Sequence, residues 1–353
     1  MLHGIPAQCA KGVSIVPEAD DHAAILPAKR FRHNGGLGIT SQLLPIICRE
    51  VQSSGPITFA RFMELALYHP QFGYYRSADH FGVRGDFYTA EQLQPVFGEV
   101  VAHFVEKLTK EQRWDETFGV LEVGAGRAEM ADALARWRYC AVDWNLSPFP
   151  SEWRGLIFAN EFFDALPVHL LVKRDGWKEL YVSCDSGALR FSEGELSRTE
   201  LASYAEAYGT NIPEGGLLEA CLGVDDWCHR LSMTLLEGDL LIIDYGYQAR
   251  ELLRFPQGTV LGYSQHRASA SVLSNPGEHD ITAHVNFDWL RACAERAGFH
   301  FHSSYTLAAW LLSIWNEEEL ERRWSQADSR WQLQWKQLLF GLGETFTVMR
   351  FGQ

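Results

Sequence analysis

Residues 118–130 read F-G-V-L-E-V-G-A-G-R-A-E-M. A short Val/Leu-rich run reads as a buried strand, and Gly124 and Gly126 after it permit a turn too tight for side chains. The residues that follow have helical character as far as Trp137. A strand–turn–helix step of this kind constrains the fold more than any other stretch, because it belongs to a sheet of parallel strands joined by crossover helices. The two glycines fit two uses: packing alone, or a loop that lets a nucleotide-like ligand approach the backbone.

The pattern recurs. A candidate strand Tyr139–Val142 ends at Asp143, a second, G-L-I-F-A-N, leads through Asn160 to Glu161, and a third, G-D-L-L-I-I-D-Y-G, reaches Asp244. Strand-like pieces run through Val168–Lys173, Trp177–Val182 and Ala188–Phe191, and helical patterns cover Pro95 to Lys110, Asp225–Leu236 and Phe287–Ala297. The end, G-E-T-F-T-V-M-R-F-G, alternates as a strand does. We expect an α/β fold with a Rossmann-like, seven-stranded, mostly parallel sheet. Val120–Val123 should lie at its centre and Thr345–Arg350 should run antiparallel. Ligands of such sheets bind beyond the carboxyl ends of the strands, where Glu122, Asp143, Glu161 and Asp244 cluster.

Three segments are expected. Residues 1–40 mix Pro, Gly, His and charges without periodicity and read as a mobile N-terminal extension. Residues 41–117 form a helical and aromatic cap region, with Thr58 as the N-cap of a helix carrying the apolar stripe Phe59, Phe62, Met63, Leu65 and Ala66. Residues 118–353 form the core, with a polar insertion at about 185–230.

Composition excludes several functions. A formal charge of −14 disfavours a nucleic-acid binder, which needs a basic face. No apolar run approaches the ~20 residues of a membrane span. The seven cysteines are scattered and contain no C-x-x-C, which argues against a disulfide framework or a zinc site and fits a reducing, cytoplasmic setting. The acidic balance leaves room for a basic protein or peptide partner, and a homodimer stays open.

The loop also discriminates between cofactors. A dinucleotide fold asks for G-x-G-x-x-G, with Gly or Ala at position 129, and this chain has Glu129. It carries instead E-x-G-x-G through Glu122, the form usual in S-adenosylmethionine (SAM) methyltransferases of the Rossmann-like type.

G-P-I-T-F-A-R-F-M-E-L-A-L-Y-H-P-Q-F-G-Y-Y, G-D-F-Y-T-A, L-E-V-G-A-G-R, A-N-E-F-F-D-A-L-P-V-H, I-D-Y-G, P-G-E-H-D-I-T-A-H-V-N-F and G-E-T-F-T-V occur in that order from about Ser41 to the C-terminus. The chain thereby resembles the MidA-like SAM-dependent methyltransferases. That resemblance implies the class I methyltransferase sheet, SAM as cofactor and methylation of protein arginine. It also implies a mitochondrial rather than a cytoplasmic site if the host is eukaryotic, since the family's mitochondrial branch is linked to respiratory complex I assembly.

For the cofactor, the residues singled out are Asp86, Phe87 and Thr89 in an irregular loop, Glu122, Gly124, Gly126, Asn160 and Asp143. Asp143 is either the acid that receives the ribose hydroxyls or part of a shortened loop, and Asp86 also fits a structural turn. For catalysis they are Glu161 and Asp164, two carboxylates that suit a guanidinium, and His284 as base or substrate contact. Asn160 and Glu161 also fit a helix cap, Asp164 a solvent-facing acid, and His284 a structural histidine. A branched side chain at position 124 is expected to fill cofactor space and leave the fold intact. A non-catalytic assembly protein with the same fold is the alternative function, and a NAD-dependent oxidoreductase, disfavoured by Glu129, a third.

Overall fold

A computed structural model of the chain describes residues 41–76, 90, 93–143, 147–264, 267–268 and 271–353. The N-terminal part holds α1 (Leu44–Ser54), β1 (Ile57–Thr58), α2 (Phe59–Tyr68) and α3 (Val96–Glu111). Then follow β2 (Gly119–Val123), α4 (Ala131–Leu134), β3 (Arg138–Val142) and β4 (Trp153–Asn160). The middle holds β5 (His169–Arg174), β6 (Gly176–Asp185), β7 (Ala188–Gly194), α5 (Thr199–Tyr208), β8 (Leu217–Ala220), α6 (Gly223–Thr234) and β9 (Leu235–Tyr247). After them come β10 (Leu261–Ser264), β11 (Arg267–Ala268), β12 (Asp280–Thr282), β13 (Val285–Asn286) and α7 (Phe287–Arg296). The chain closes with β14 (His300–Thr306), α8 (Leu307–Ile314), α9 (Glu317–Gln326), α10 (Ser329–Lys336) and β15 (Phe346–Gly352).

Six strands of the main sheet run in the order β14-β15-β9-β4-β2-β3, and the short β13 pairs with β9 as the seventh. Strands β3, β2, β4, β9 and β13 are parallel, while β15 runs antiparallel from Phe346 opposite Tyr245 to Gly352 opposite Asp239. The expected count and the antiparallel final strand are both present. The expected place of β2 is not. It lies next to the edge strand β3, because among the described residues no strand intervenes between Val142 and Trp153 to extend that side.

Both faces of the sheet are covered, as the near-continuous apolar strands require. Val120, Leu156, Phe158, Leu241 and Ile243 pack on one side with α3 and the tryptophans of α8 and α10. Leu121, Val123, Ile157, Ala159, Leu240 and Ile242 pack on the other with α6 and α7. Thr58 caps α2 by accepting the Arg61 amide, as expected, and Asn286 caps α7 by accepting that of Trp289. The helix expected up to Trp137 is reduced to the four residues of α4, since turns fill Gly126–Met130 and Ala128 is left-handed at φ 56°.

The pieces between residues 168 and 220 do not join the main sheet. They form an antiparallel sheet of β1, β6, β5 and β8, with β7 on β6. Ser186 and Gly187, at φ 50° and 81°, make the two-residue hairpin turn between β6 and β7. Helix α1 packs on β6, and Cys48 and Cys184 are joined there by a disulfide. This corrects the expectation drawn from scattered cysteines. Their separation of 136 residues leaves no mark in sequence spacing, and only the packing of α1 brings the pair together.

At the start of the parallel strands, Gly119, Gly155 and Gly238 stand abreast across β2, β4 and β9. A Cβ on Gly155, whose φ is +119°, would lie 2.2 Å from the Gly119 carbonyl oxygen. Gly155→Ala therefore forces strands apart as well as straining the backbone, and we expect a loss of about 3 kcal/mol in urea denaturation. Gly176→Ala, whose Cβ would meet nothing within 4 Å, should change stability by less than ~0.5 kcal/mol.

Candidate active site

The strand order reverses between β2 and β4: β3 lies beyond β2 on one side, β9 beyond β4 on the other. A crevice opens at such a point, at the carboxyl ends of the strands. Here the described residues bound a cavity of about 1280 Å³. Gly124, Gly126, Asp143, Asn160, Glu161 and Asp164, all singled out from the sequence, line it together.

The loop after β2 is held from both sides. The amides of Gly124 and Ala125 donate to the Val142 carbonyl at 3.0 and 3.3 Å, and that of Gly126 to Asp143 Oδ2 at 2.8 Å. Gly124 is left-handed at φ +74°, and a Cβ on it would lie 2.7 Å from the Phe162 ring. The expectation that a branched residue there spares the fold is thus corrected: both the backbone angle and Phe162 resist it. Glu122 is buried, accepts the Tyr139 hydroxyl, and is not among the residues lining the cavity, so it braces the loop from behind.

The second wall is the turn after β4. Glu161 is left-handed at φ 47°, and its amide donates to the Ile243 carbonyl. Asp244 Oδ2 receives the amides of Phe162, Phe163 and Asp164 at 3.2, 2.9 and 3.4 Å, and its Oδ1 receives that of Tyr245. This clustered acceptance fixes the turn and sends Glu161 and Asp164 into the cavity. Glu161 Oε1 accepts the Ala90 amide at 3.0 Å and the Asn160 side-chain amide at 3.3 Å. Asp164 is 5% exposed, its Oδ2 accepts the Tyr245 hydroxyl, and its Oδ1 has no hydrogen-bond partner among the described residues.

Sequence reasoning passed over several lining residues. Asp280 of β12 accepts the Tyr75 hydroxyl at 2.9 Å, and Tyr68 donates to the Ala165 carbonyl at 2.9 Å. The segments Y-H-P, G-Y-Y, I-D-Y-G and H-D-I-T carry these residues, and their tyrosines and Asp280 were legible there as polar groups in otherwise apolar surroundings. His284 does not reach this cavity. It lines a separate one of about 550 Å³, with its ring edge-on to Tyr245 and Phe255. Asp86, Phe87 and Thr89 lie outside the described residues.

Glu161 and Asp164 in the cavity and Asp244 behind their turn cannot all ionise cheaply. Burial, and then Asp164, push the Glu161 carboxyl up to about 8. Burial pushes that of Asp164 up to about 6, with the Tyr245 hydrogen bond opposing it. Burial and the charges of Asp164 and Glu161 raise Asp244 too, against the pull of its amide donors. Tyr68, Tyr75 and Tyr245 are raised by burial first and then by the acids, so they stay protonated donors. The arrangement suits a cationic group held by carboxylates that give up protons when it arrives.

A family model described as "Putative S-adenosyl-L-methionine-dependent methyltransferase" matches residues 134–305. A crystal structure of a Burkholderia thailandensis protein bound to S-adenosyl-homocysteine superimposes with a TM-score of 0.80 at 28% identity, covering 88% of this chain and 92% of that one. The mitochondrial protein arginine methyltransferase NDUFAF7 of Xenopus tropicalis is 27% identical over 70% of each chain, and that of Homo sapiens 26% identical over 70% of this chain and 67% of its own. The chain is similar to SAM-dependent methyltransferases over most of its length, in keeping with its resemblance to the MidA-like family. SAM is accordingly the cofactor and methyl transfer the reaction.

The raised Glu161 carboxyl makes stability pH-dependent. The folded protein keeps a proton that the unfolded chain has released, so stability is full below the ordinary carboxylate range and falls as pH rises towards about 8. In urea denaturation between pH 5 and 8, the native protein should lose stability that Glu161→Gln retains. Parallel curves for the two would remove Glu161 as the titrating group.

Proposed function

We propose that the protein methylates an arginine of a protein substrate, with Glu161 and Asp164 receiving the guanidinium. The observation that carries this reading is the buried Asp164 Oδ1 without a hydrogen-bond partner among the described residues, in a cavity shared with Glu161 and Asp280. A buried acceptor left open costs stability unless a ligand donor fills it. A guanidinium fills it well, because its planar fork donates to several carboxylate oxygens at once. The names of the relatives support the same acceptor. For a eukaryotic host they also support a mitochondrial rather than a cytoplasmic location.

The residues around the loop fit SAM. Gly124 and Gly126 keep the backbone bare beside the cavity, and Asp143 after β3 is the acid suited to the ribose hydroxyls, with Asn160 lining the same cavity from β4. Asp143 then serves twice, since the same carboxylate holds the Gly126 amide. When bound, SAM supplies a methyl group activated on sulfonium sulfur. Glu161 and Asp164 orient one guanidinium nitrogen towards that methyl, which is most of what an in-line displacement asks of a protein. As the nitrogen–carbon bond forms, the nitrogen must shed a proton. A carboxylate whose proton affinity is raised by burial, Glu161 above all, is placed to take it.

Glu161→Gln keeps an oxygen for the Ala90 amide and removes the charge. It should bind SAM as the native protein does in titration calorimetry and lose methyl transfer by about a hundredfold or more. Radiolabelled SAM in cell extract should mark a few proteins at arginine. Label on lysine or nucleic acid, or full activity in the variant, would refute the acceptor assignment.

A further inference from the structure

Between the two cavities stands one aromatic ring. Tyr245 lines both, and Thr282 is the other residue they share among the described residues. The ring is fixed on its far side by edge-on contacts with His284 and Phe346, each 5.4 Å between centroids. Its hydroxyl reaches the other way and donates to Asp164 Oδ2, while the buried Asp164 Oδ1 has no hydrogen-bond partner among the described residues. A carboxyl group turns freely about its last bond unless something pins it. Here one oxygen is pinned and the other is left for a ligand.

We propose that Tyr245 is a positioning residue of the acceptor site, its hydroxyl fixing the Asp164 carboxylate so that Oδ1 is presented to the guanidinium. The inference rests on the arginine reading given above. The same hydrogen bond has a second effect, because a donor to a carboxylate favours its charged form. Asp164 needs that help. Glu161 on the same turn, Asp244 behind that turn on β9 and Asp280 on β12 are acids whose charge would oppose its own, and Tyr68 and Tyr75 remain neutral beside them. Without the Tyr245 hydroxyl, Asp164 would hold its proton at higher pH and its acceptor oxygen would lose its fixed direction.

Tyr245→Phe keeps the ring, and with it the wall between the cavities and the contacts with His284 and Phe346. The other acids stay as they are, so the difference from the native protein isolates the hydroxyl. The first test is a carbon-13 carboxyl titration by NMR of the protein without ligands, with the Asp164 signal assigned from Asp164→Asn. The Asp164 midpoint should rise by about one pH unit in Tyr245→Phe, the size of one lost hydrogen bond to a charged group. An unmoved midpoint overturns the proposal. The second test is methyl transfer against pH. The acidic limb of kcat should shift upward by a similar interval, with SAM affinity unchanged by calorimetry, and coincident profiles overturn the proposal as well. Should the native protein label no arginine, the acceptor reading fails by itself, and the titration still decides whether Tyr245 governs Asp164.

Discussion

One carboxylate organises the catalytic end of the sheet. Asp244 is fully buried at the end of β9 and gathers three successive amides of the neighbouring turn on one oxygen and its own next amide on the other. A buried charge with so many charge-assisted donors is tolerated where a bare one is not. The amides it collects belong to Phe162, Phe163 and Asp164, so the chain can bend sharply after β4 with Glu161 in a left-handed conformation that few side chains adopt. Every acid argued to meet the substrate depends on that bend. The amides favour charge on Asp244, but burial outweighs them, and its carboxyl is pushed upward together with those of Glu161 and Asp164.

The glycine loop answers to both uses the sequence left open. Gly124 is required by its neighbours, since its backbone angle and the Phe162 ring exclude a Cβ. That is packing. Yet Phe162 is itself part of the turn that Asp244 holds, and both loops face one cavity. Packing at Gly124 therefore locks the cofactor side of the crevice to the acceptor side. A single lost glycine would disturb both at once.

Much of this was legible in the sequence, and the failures have physical causes. Strands such as Val120–Val123 and the run to Asp244 are mostly apolar, broken only by Glu122 and Asp239, and parallel strands covered on both faces read that way. The acids that end them point to the same edge, so Asp143, Asn160, Glu161 and Asp164 emerged as a group. Lateral order did not emerge, because periodicity along a strand says nothing about its neighbours, and β2 was set too far inward. His284 was chosen for its chemistry, but its ring packs between Tyr245 and Phe255 beside another cavity. Asp280 and Tyr75 were missed because their pairing spans 205 residues. The disulfide was missed for the same reason.

Where the tyrosines sit explains how an acid cluster survives burial. Tyr68 comes from α2, Tyr75 from the segment after it, and Tyr245 from β9, so three parts of the chain converge on Asp164 and Asp280. Each phenol is pushed far above its ordinary range by burial and by the nearby acids, which guarantees that it donates and never competes as an anion. Neutral donors stabilise a carboxylate without cancelling its charge, whereas a lysine or arginine in the same place would satisfy it and close the site. At the end of the cavity formed by Glu161, Asp164 and Asp280, acids and phenols thus stand together without an intervening base among the described residues.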